Sequence, residues 1–202
     1  MSKRVYISAD YSPKNGDRDV VEELHRWSED NRYSVDYVDT AQVVSGSVSN
    51  DPDCRPCDLK AEFNRQINAS SSVIFIIGDK TASRLAGNSC RRLSEGENCT
   101  CTPYKQNTNG STDCKIYGET YTPGPDEDVG KINAYSYLRH EFEQAKKKKK
   151  TIIIVYNAFR RHPSWLPSYM SDYVNEAFPF WKYNESGNIV GDYSYIKKAL
   201  GY

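Results

Sequence analysis

Residues 151–156, Thr-Ile-Ile-Ile-Val-Tyr, are the most hydrophobic run of the chain and decide its fold class. Three further runs of β-type residues precede it, at 4–8, 33–38 and 73–77. Uninterrupted apolar runs of this length are typical of strands that are covered on both faces. We therefore expect four strands that belong to one sheet, with both faces of the sheet covered.

Helical patterns alternate with these runs. Residues 17–31, 59–70 and 133–148 each place their apolar side chains on one stripe of a helix. The resulting order, β-α-β-α-β, a long insert, then α-β, predicts an α/β protein with a parallel sheet and helices on both faces. Right-handed crossovers then favour a flavodoxin-like, doubly wound sheet of strand order 2-1-3-4, to which an extra edge strand can be added.

The length of 202 residues predicts a single domain over 1–202 with two additions to this pattern. Residues 83–130 form an insertion between the third strand and the third helix, rich in polar residues and containing four cysteines. Residues 157–202 form an aromatic-rich C-terminal extension, in which Asp192–Leu200 has a short helical pattern. Its aromatic residues are expected to cover a sheet edge or a partner surface.

The overall charge excludes a general nucleic-acid binder, because 27 Lys and Arg residues balance 27 Asp and Glu residues. No apolar run approaches the roughly 18 residues that a membrane span requires, so no membrane contact is expected. The first residues enter a strand directly and leave no space for a signal peptide, which predicts a cytoplasmic protein. We interpret the lysines at 146–150 as the cationic end of a helix.

The chain has six cysteines, in a Cys-x-x-Cys pair, a Cys-x-Cys pair and two single positions. A disulfide framework, a zinc site and a redox motif are three interpretations of such spacing. The expected compartment argues against disulfides, and the zinc pattern lacks a second pair of equal spacing. We therefore favour reduced thiols and predict no metal. The cysteines are Cys54, Cys57, Cys90, Cys99, Cys101 and Cys114.

Ligands of open parallel sheets bind outside the carboxyl ends of the strands, which directs attention to three loops. The sequence contains neither of the two glycine-rich phosphate-binding motifs, and the acid pair of a receiver domain is also absent. Each acid in these loops, taken singly, is equally consistent with turn or helix-cap chemistry. The polar candidates at the strand ends are Ser8, Asp10, Tyr11, Asp39, Gly78 and Asp79.

The third helix contains two glutamates that are not equivalent. At about 100° per residue, Glu141 lies about 60° from Leu138, at the rim of the apolar stripe, whereas Glu143 lies about 140° away and should be solvated. An acid at such a rim, beneath the strand ends, is either a perturbed carboxyl facing a pocket or a half-buried partner of Arg139 or of a neighbouring helix. The residues alone leave both interpretations open.

The order and spacing of four segments resemble the bacterial TIR-like proteins, in particular the TIR-like component of Thoeris anti-phage defence systems. The matching segments are residues 4–8 with Tyr11 shortly after, 73–78, 137–142 and 151–159. The resemblance implies that Glu141 is the catalytic residue that breaks the nicotinamide–ribose bond of NAD. It further implies that NAD is a substrate and that no separate cofactor is needed.

On this resemblance, Ser8, Asp10 and Tyr11 line the ribose-phosphate side of the site. Asp39 hydrogen-bonds a ribose or the adenine, and the backbone of the turn at Gly78 and Asp79 approaches the pyrophosphate. The product is then ADP-ribose or a cyclic variant that acts on a downstream nucleotide-sensing effector protein during phage infection. TIR-like domains also form homo-oligomers, and assembly of copies is expected on the same grounds.

Two alternatives accompany this prediction. In the first, the protein is a TIR-type interaction module that signals by assembly, with Glu141 only structural. In the second, it resembles a nucleoside deoxyribosyltransferase, which shares the flavodoxin-like frame and a catalytic carboxylate. The insertion at 83–130 is longer than the corresponding link of the TIR-like family, so the family pattern does not specify its role.

Overall fold

The computed structural model describes residues 3–12, 16–29, 35–39, 55–84 and 136–202. These residues form seven strands and four α-helices in an alternating order, which confirms the α/β class. Short 3-10 helices lie at Thr81–Ser83, Pro163–Trp165 and Ser168–Tyr173. In chain order, the strands and α-helices are β1 (Lys3–Ser8), α1 (Arg18–Glu29), β2 (Val35–Asp39), α2 (Arg55–Ala69), β3 (Ser72–Ile77), α3 (Tyr137–Lys147), β4 (Thr151–Tyr156), β5 (Phe178–Pro179), β6 (Trp181–Tyr183), β7 (Ile189–Gly191) and α4 (Tyr193–Ala199).

Five strands form one parallel sheet of order β2-β1-β3-β4-β5. The predicted order 2-1-3-4 is confirmed, and β5 is the extra edge strand. Strand β2 ends at Asp39, one residue beyond the predicted end at Val38, which places Asp39 inside the ladder opposite Ile7. Strands β6 and β7 form a separate antiparallel hairpin.

The sheet is covered on both faces, as the alternation predicts. Side chains of α1 and α4 pack with Val5, Ile7 and Ile74 on one face, which we call the α1 face. Side chains of α2 and α3 pack with Tyr6 and Phe75 on the opposite face, which we call the α3 face. Because side chains alternate along a strand, odd-numbered residues of β1 lie on the α1 face and even-numbered ones on the α3 face.

The lysine run does close a helix. Lys146 and Lys147 occupy the last turn of α3, near the negative end of its dipole. The Lys150 ammonium donates to the main-chain oxygens of Asn68 at 2.9 Å and Ser70 at 2.6 Å, just after α2. These contacts join the α3–β4 turn to the end of α2 and give this cation a structural role.

The C-terminal extension completes the core. Phe180, Ile196 and Leu200 are buried on the α1 face, where Phe180 stacks on Trp27 of α1 with centroids 5.5 Å apart. This part of the extension thus packs on a face of the sheet, whereas we expected its aromatic residues at a sheet edge or a partner surface. Within the described ranges, no helix is both long and apolar enough to cross a membrane. The insertion beyond Arg84 and all six cysteine side chains lie outside the described residues, so the predictions on them stay predictions.

Candidate active site

The side chain of Glu141 is buried in the second turn of α3, with only 4% of the residue exposed. One carboxyl oxygen accepts a hydrogen bond from the Tyr6 hydroxyl, and the other accepts one from the Ser8 hydroxyl. Tyr6 and Ser8 are two residues apart on β1 and so lie on the same face of the sheet. Ser8 is the last residue of β1, which places this acid at the edge where the parallel strands end. We call this edge the carboxyl edge.

Burial raises the pKa of Glu141 from 4.5 to about 7, because a low-dielectric surrounding disfavours the charged form. The hydrogen bonds from Ser8 and Tyr6 lower the pKa but do not offset burial. Both hydrogen-bonding partners are neutral hydroxyls. The carboxyl group is thus held in place without a neutralising cation among the described residues.

The helical periodicity correctly predicted that Glu141 is more buried than Glu143. It placed both glutamates too close to solvent. Glu141 belongs to the buried stripe with Leu138, Phe142 and Ala145, and Glu143 is half-buried. The hydrogen-bond partners of Glu141 lie on β1, so of the two interpretations left open, the one that pairs it with Arg139 or a neighbouring helix is not the arrangement found. Periodicity on one helix contains no information on which strand lies beneath it, and this explains the miss.

The loop after β1 is folded back on itself by short-range hydrogen bonds. Asp10 accepts from the Ser12 amide at 2.9 Å, and its other carboxyl oxygen pairs with Arg84 beyond β3. The Asp17 amide donates to the Asp10 carbonyl at 2.7 Å and closes the loop. Tyr11 is half-buried against the α1 face, and its carbonyl accepts from the Arg18 side chain at 3.1 Å. Asp10 and Tyr11 therefore follow Ser8 at the carboxyl edge, as predicted.

Asp39 lies at the carboxyl edge but on the other face. It is 4% exposed, and its carboxylate contacts the Nε2 atom of His25 on α1. Tyr37, two residues earlier on β2, packs on the α1 face, so Asp39 points the same way. The structure consequently does not bring Asp39 together with Glu141. The hydrogen bond expected from Asp39 to a ribose or the adenine stays a prediction.

Gly78 differs from its predicted role. Its N–H donates to the Thr81 hydroxyl at 2.7 Å, so the turn already uses the group expected to face a pyrophosphate. A Cβ atom at Gly78 would lie 2.4 Å from the Asp17 Oδ1 atom, which shows that a carboxyl group packs directly on this glycine. Asp79, the next residue, is exposed, with its carboxylate 3.6 Å from the Lys80 ammonium.

Three residues of the carboxyl edge are absent from the predicted set of site residues, although Asp17 was among the loop acids for which a turn or helix-cap role was the alternative. Tyr6 has the pattern of a strand residue, and nothing local marks its hydroxyl as a partner of a distant acid. Asp17 precedes α1 and resembles an ordinary helix cap, yet it is 3% exposed. Its pKa is raised from 3.8 to about 7, mainly by burial. The hydrogen bond from Asn157 lowers this pKa, and the charges of Asp10 and Asp19 act in the same direction as burial.

Asn157 is the third missed residue and follows directly after β4. Its amide nitrogen donates to Asp17 at 3.1 Å and to Asp19 at 2.9 Å, and its amide oxygen accepts from the Trp181 indole at 2.7 Å. A polar residue after the most hydrophobic strand of a parallel sheet was the available signal, because strand order places that position at the ligand-binding edge.

Metal binding has no support in the described part of the chain, where no three His, Cys, Asp or Glu side chains lie together in a way that holds an ion. The site is therefore a carboxyl group held by hydroxyls, next to a loop of polar residues. No protein-family model matches this sequence, and a comparison with curated proteins also gives no match. The geometry and the chemistry of the residues must support the function by themselves.

Proposed function

We propose that the protein is a TIR-like enzyme that cleaves the nicotinamide–ribose bond of NAD, with Glu141 as its catalytic carboxylate. The observation that supports this best is the burial of Glu141 between two hydroxyls at the carboxyl edge. A buried acid whose pKa is raised to about 7 is typical of functional sites. Position and chemistry thus agree with the role implied by the family resemblance.

The reaction requires little besides a well-placed anion. When the bond between the ribose C1 atom and the nicotinamide nitrogen breaks, its electron pair leaves with nicotinamide, which becomes neutral. Positive charge then develops on the ribose, as in glycoside cleavage. An ionised Glu141 stabilises that charge, or attacks C1 to give a covalent ribosyl intermediate. No general acid is needed, because the leaving group begins as a cation.

The neighbouring residues fix the acid and bind the substrate. Tyr6 and Ser8 orient the carboxyl group, so that it meets the ribose without reorganising. The family resemblance assigns Asp10 and Tyr11, in the loop that follows Ser8, to the ribose and phosphate, although the Tyr11 side chain packs on the α1 face. Capture of the ribosyl cation by water gives ADP-ribose, and capture by another group of the same molecule gives a cyclic product. Either is a nucleotide signal for a downstream effector in anti-phage defence.

The decisive experiment measures nicotinamide release from NAD by the wild-type protein, Glu141→Gln and Glu143→Gln, with products separated by chromatography. Glu143 is the matched control, because it lies on the same helix and the substitution is the same. Each protein is also assayed with an extract of phage-infected cells, which supplies an activating signal if one is required. A deoxynucleoside substrate in a parallel reaction tests deoxyribosyl transfer.

Release by the wild type and by Glu143→Gln, together with its loss in Glu141→Gln, supports the proposal. Equal release from Glu141→Gln overturns the role of this residue. No release from any of the proteins, with or without extract, overturns the enzyme assignment. If the protein cleaves the deoxynucleoside and not NAD, the proposed substrate is wrong, and Glu141 remains the proposed catalytic carboxylate.

Assembly of copies is a second candidate function, favoured by exposed aromatic rings. Phe159 and Tyr183 are 45% and 64% exposed, and their rings stack with centroids 5.0 Å apart. Surface aromatic side chains of this kind are enriched where proteins associate. Sedimentation velocity of the wild type and of Phe159→Ser/Tyr183→Ser tests this function. Tyr202→Ser is the control, since Tyr202 is also exposed, at 47%. A wild type that remains monomeric at all concentrations overturns it.

A further inference from the structure

Asp17 is a buried acid that the proposed reaction does not use. The chain leaves β1 at Ser8, passes through the polar loop and returns at Asp17, one residue before α1. The Asp17 amide closes this loop on Asp10, and Gly16 donates to the Ser12 carbonyl at 3.0 Å within it. The carboxyl group of Asp17 points away from the loop, toward the ends of β3 and β4.

The carboxyl group makes three contacts there, each to a different element. It accepts from Asn157 after β4 at 3.1 Å and from the Thr81 hydroxyl at 3.5 Å. It also packs on the Cα atom of Gly78 after β3, where a Cβ atom would clash with it at 2.4 Å. One side chain thereby joins the loop of β1 to the turn of β3 and to the residue that ends β4.

Asn157 extends this connection. Its backbone N–H donates to the Ile77 carbonyl at 3.0 Å, which ties β4 to the last residue of β3. Its side chain bonds to Trp181 of the β6–β7 hairpin on one side and to Asp17 and Asp19 on the other. The carbonyl oxygen of this amide is used by the indole and the amide hydrogens by the two acids, so the orientation of Asn157 is fixed.

We propose that Asp17 is a positioning residue, which anchors the Asp10–Tyr11 loop over the turn at Gly78 and thereby sets the affinity of the carboxyl edge for substrate. This inference rests on the proposed function. Asp17 acts through the loop and not on the reacting atoms, since Glu141 lies on the opposite face of the sheet. Loss of the anchor should therefore raise KM more than it lowers kcat.

The test uses the full chain and three variants. Asp17→Ala removes all three contacts of the carboxyl group. Asp17→Asn keeps an oxygen that accepts from Asn157 and is the conservative rescue. Asp19→Ala is the matched control, because Asp19 is exposed and bonds to the same amide of Asn157. Asn157→Ala removes the hydrogen bond that Asp17 accepts from Asn157, and it takes the place of Asp17→Ala if that variant does not fold.

Two readouts separate this inference from the function on which it rests. Amide hydrogen exchange at residues 16, 17 and 78 reports the anchoring directly and needs no substrate. We expect at least tenfold faster exchange in Asp17→Ala, and exchange close to wild type in Asp17→Asn and Asp19→Ala. For NAD cleavage we expect KM to rise about tenfold in Asp17→Ala, with kcat changed less than threefold, since loss of positioning costs up to about a hundredfold.

Unchanged exchange in Asp17→Ala overturns the anchor. Faster exchange with unchanged KM also overturns the proposal, because the anchor is then structural only. Faster exchange and a raised KM that Asp17→Asn restores support it. If the wild type itself does not cleave NAD, the function fails, and so does the assignment of Asp17 to substrate affinity, whereas the exchange data still report whether the loop is anchored.

Discussion

Two buried acids lie at the ends of neighbouring strands, and their partners differ: one contacts an imidazole and the other contacts two hydroxyls. Asp39 ends β2 on the α1 face and contacts the imidazole of His25, which can carry a positive charge. Glu141 lies over β1 on the α3 face and contacts only the hydroxyls of Tyr6 and Ser8 among the described residues. The two acids are exposed to the same extent, 4% each. Only their partners distinguish them.

The difference teaches how a fold marks an acid for chemistry. An acid beside an imidazole has a ring nitrogen as its partner, and in this protein that contact joins α1 to β2. An acid held by hydroxyls keeps its geometry but has no internal counter-charge, so that a cationic ligand can supply it. Burial alone would have ranked the two acids equally, and the hydrogen-bond partners separate structural from catalytic candidates.

The largest expected effect is on kcat for NAD cleavage, when the carboxylates of Glu141 and Asp39 are replaced by amides one at a time. Glu141→Gln should lower kcat for NAD cleavage by at least about a thousandfold, because the charge that stabilises the transition state is lost. Asp39→Asn should lower it less than about fivefold, because Asp39 acts on the opposite face. Steady-state kinetics of the two variants at one pH measure both values. Similar losses in both would erase the distinction between the two acids.

Stability as a function of pH sharpens the comparison next. The pKa of Glu141 is raised in the folded state to about 7, so folding favours the protonated form. Its contribution is fully present below about pH 4.5 and is lost as pH rises through 7. Glu141→Gln should therefore gain stability relative to the wild type between pH 5 and pH 8, by up to about 3 kcal/mol.

Urea unfolding of both proteins at pH 5 and pH 8 measures this gain. Asp17 titrates in the same direction and remains in both proteins, so its effect cancels in the difference. Glu143→Gln is the control for the substitution itself, because it makes the same change on the same helix. A constant offset between Glu141→Gln and the wild type at the two pH values would contradict the raised pKa.

The hydroxyls that hold Glu141 should tune its titration. Ser8→Ala and Tyr6→Phe each remove a hydrogen bond that lowers the pKa of Glu141. The rising limb of the pH–kcat/KM profile follows ionisation of Glu141. We expect this limb to shift to higher pH by about half a pH unit to one pH unit. Activity at pH 7 should fall about five- to thirtyfold. Tyr37→Phe, the same change on the α1 face, should leave the limb in place.

The smallest effect is expected at the pair of Asp39 and His25. Asp39→Asn should lower the free energy of unfolding by about 1–2 kcal/mol at pH 7, because His25 is partly exposed and water replaces its partner. Thermal unfolding of Asp39→Asn, His25→Gln and the double variant gives the coupling between the two residues. Effects that add without coupling would show that the pair contributes nothing to stability.

The sequence predicted the sheet well because burial on both faces gives a strong local signal. Residues 73–77 and 152–156 are aliphatic or aromatic throughout, and right-handed crossovers restrict the order of their strands. Strand β5 was not located, because Phe178 and Pro179 are too few to form a pattern and depend on the last two residues of β4 for pairing. Such short strands exist through tertiary contact.

The site was predicted where one element determined it and missed where two had to meet. The stripe of a single helix marked Glu141 as a candidate and the family resemblance assigned its role, whereas Ser8, Asp10 and Tyr11 follow from the end of a single strand. The other side chains depend on distant partners. Tyr6 bonds to Glu141, which is 135 residues away, and Asp17 bonds to Asn157, which is 140 residues away. For the same reason the sequence could not assign Asp39 to the opposite face, since that depends on the register of β2 against β1.

The two-residue strand β5 has a consequence for assembly. Its last residue, Pro179, has no backbone N–H, so a further chain cannot continue the hydrogen-bond ladder at that position. Short strands and prolines at a sheet edge are known protections against unwanted strand addition. We therefore expect that copies of this protein do not associate through extension of the sheet at β5.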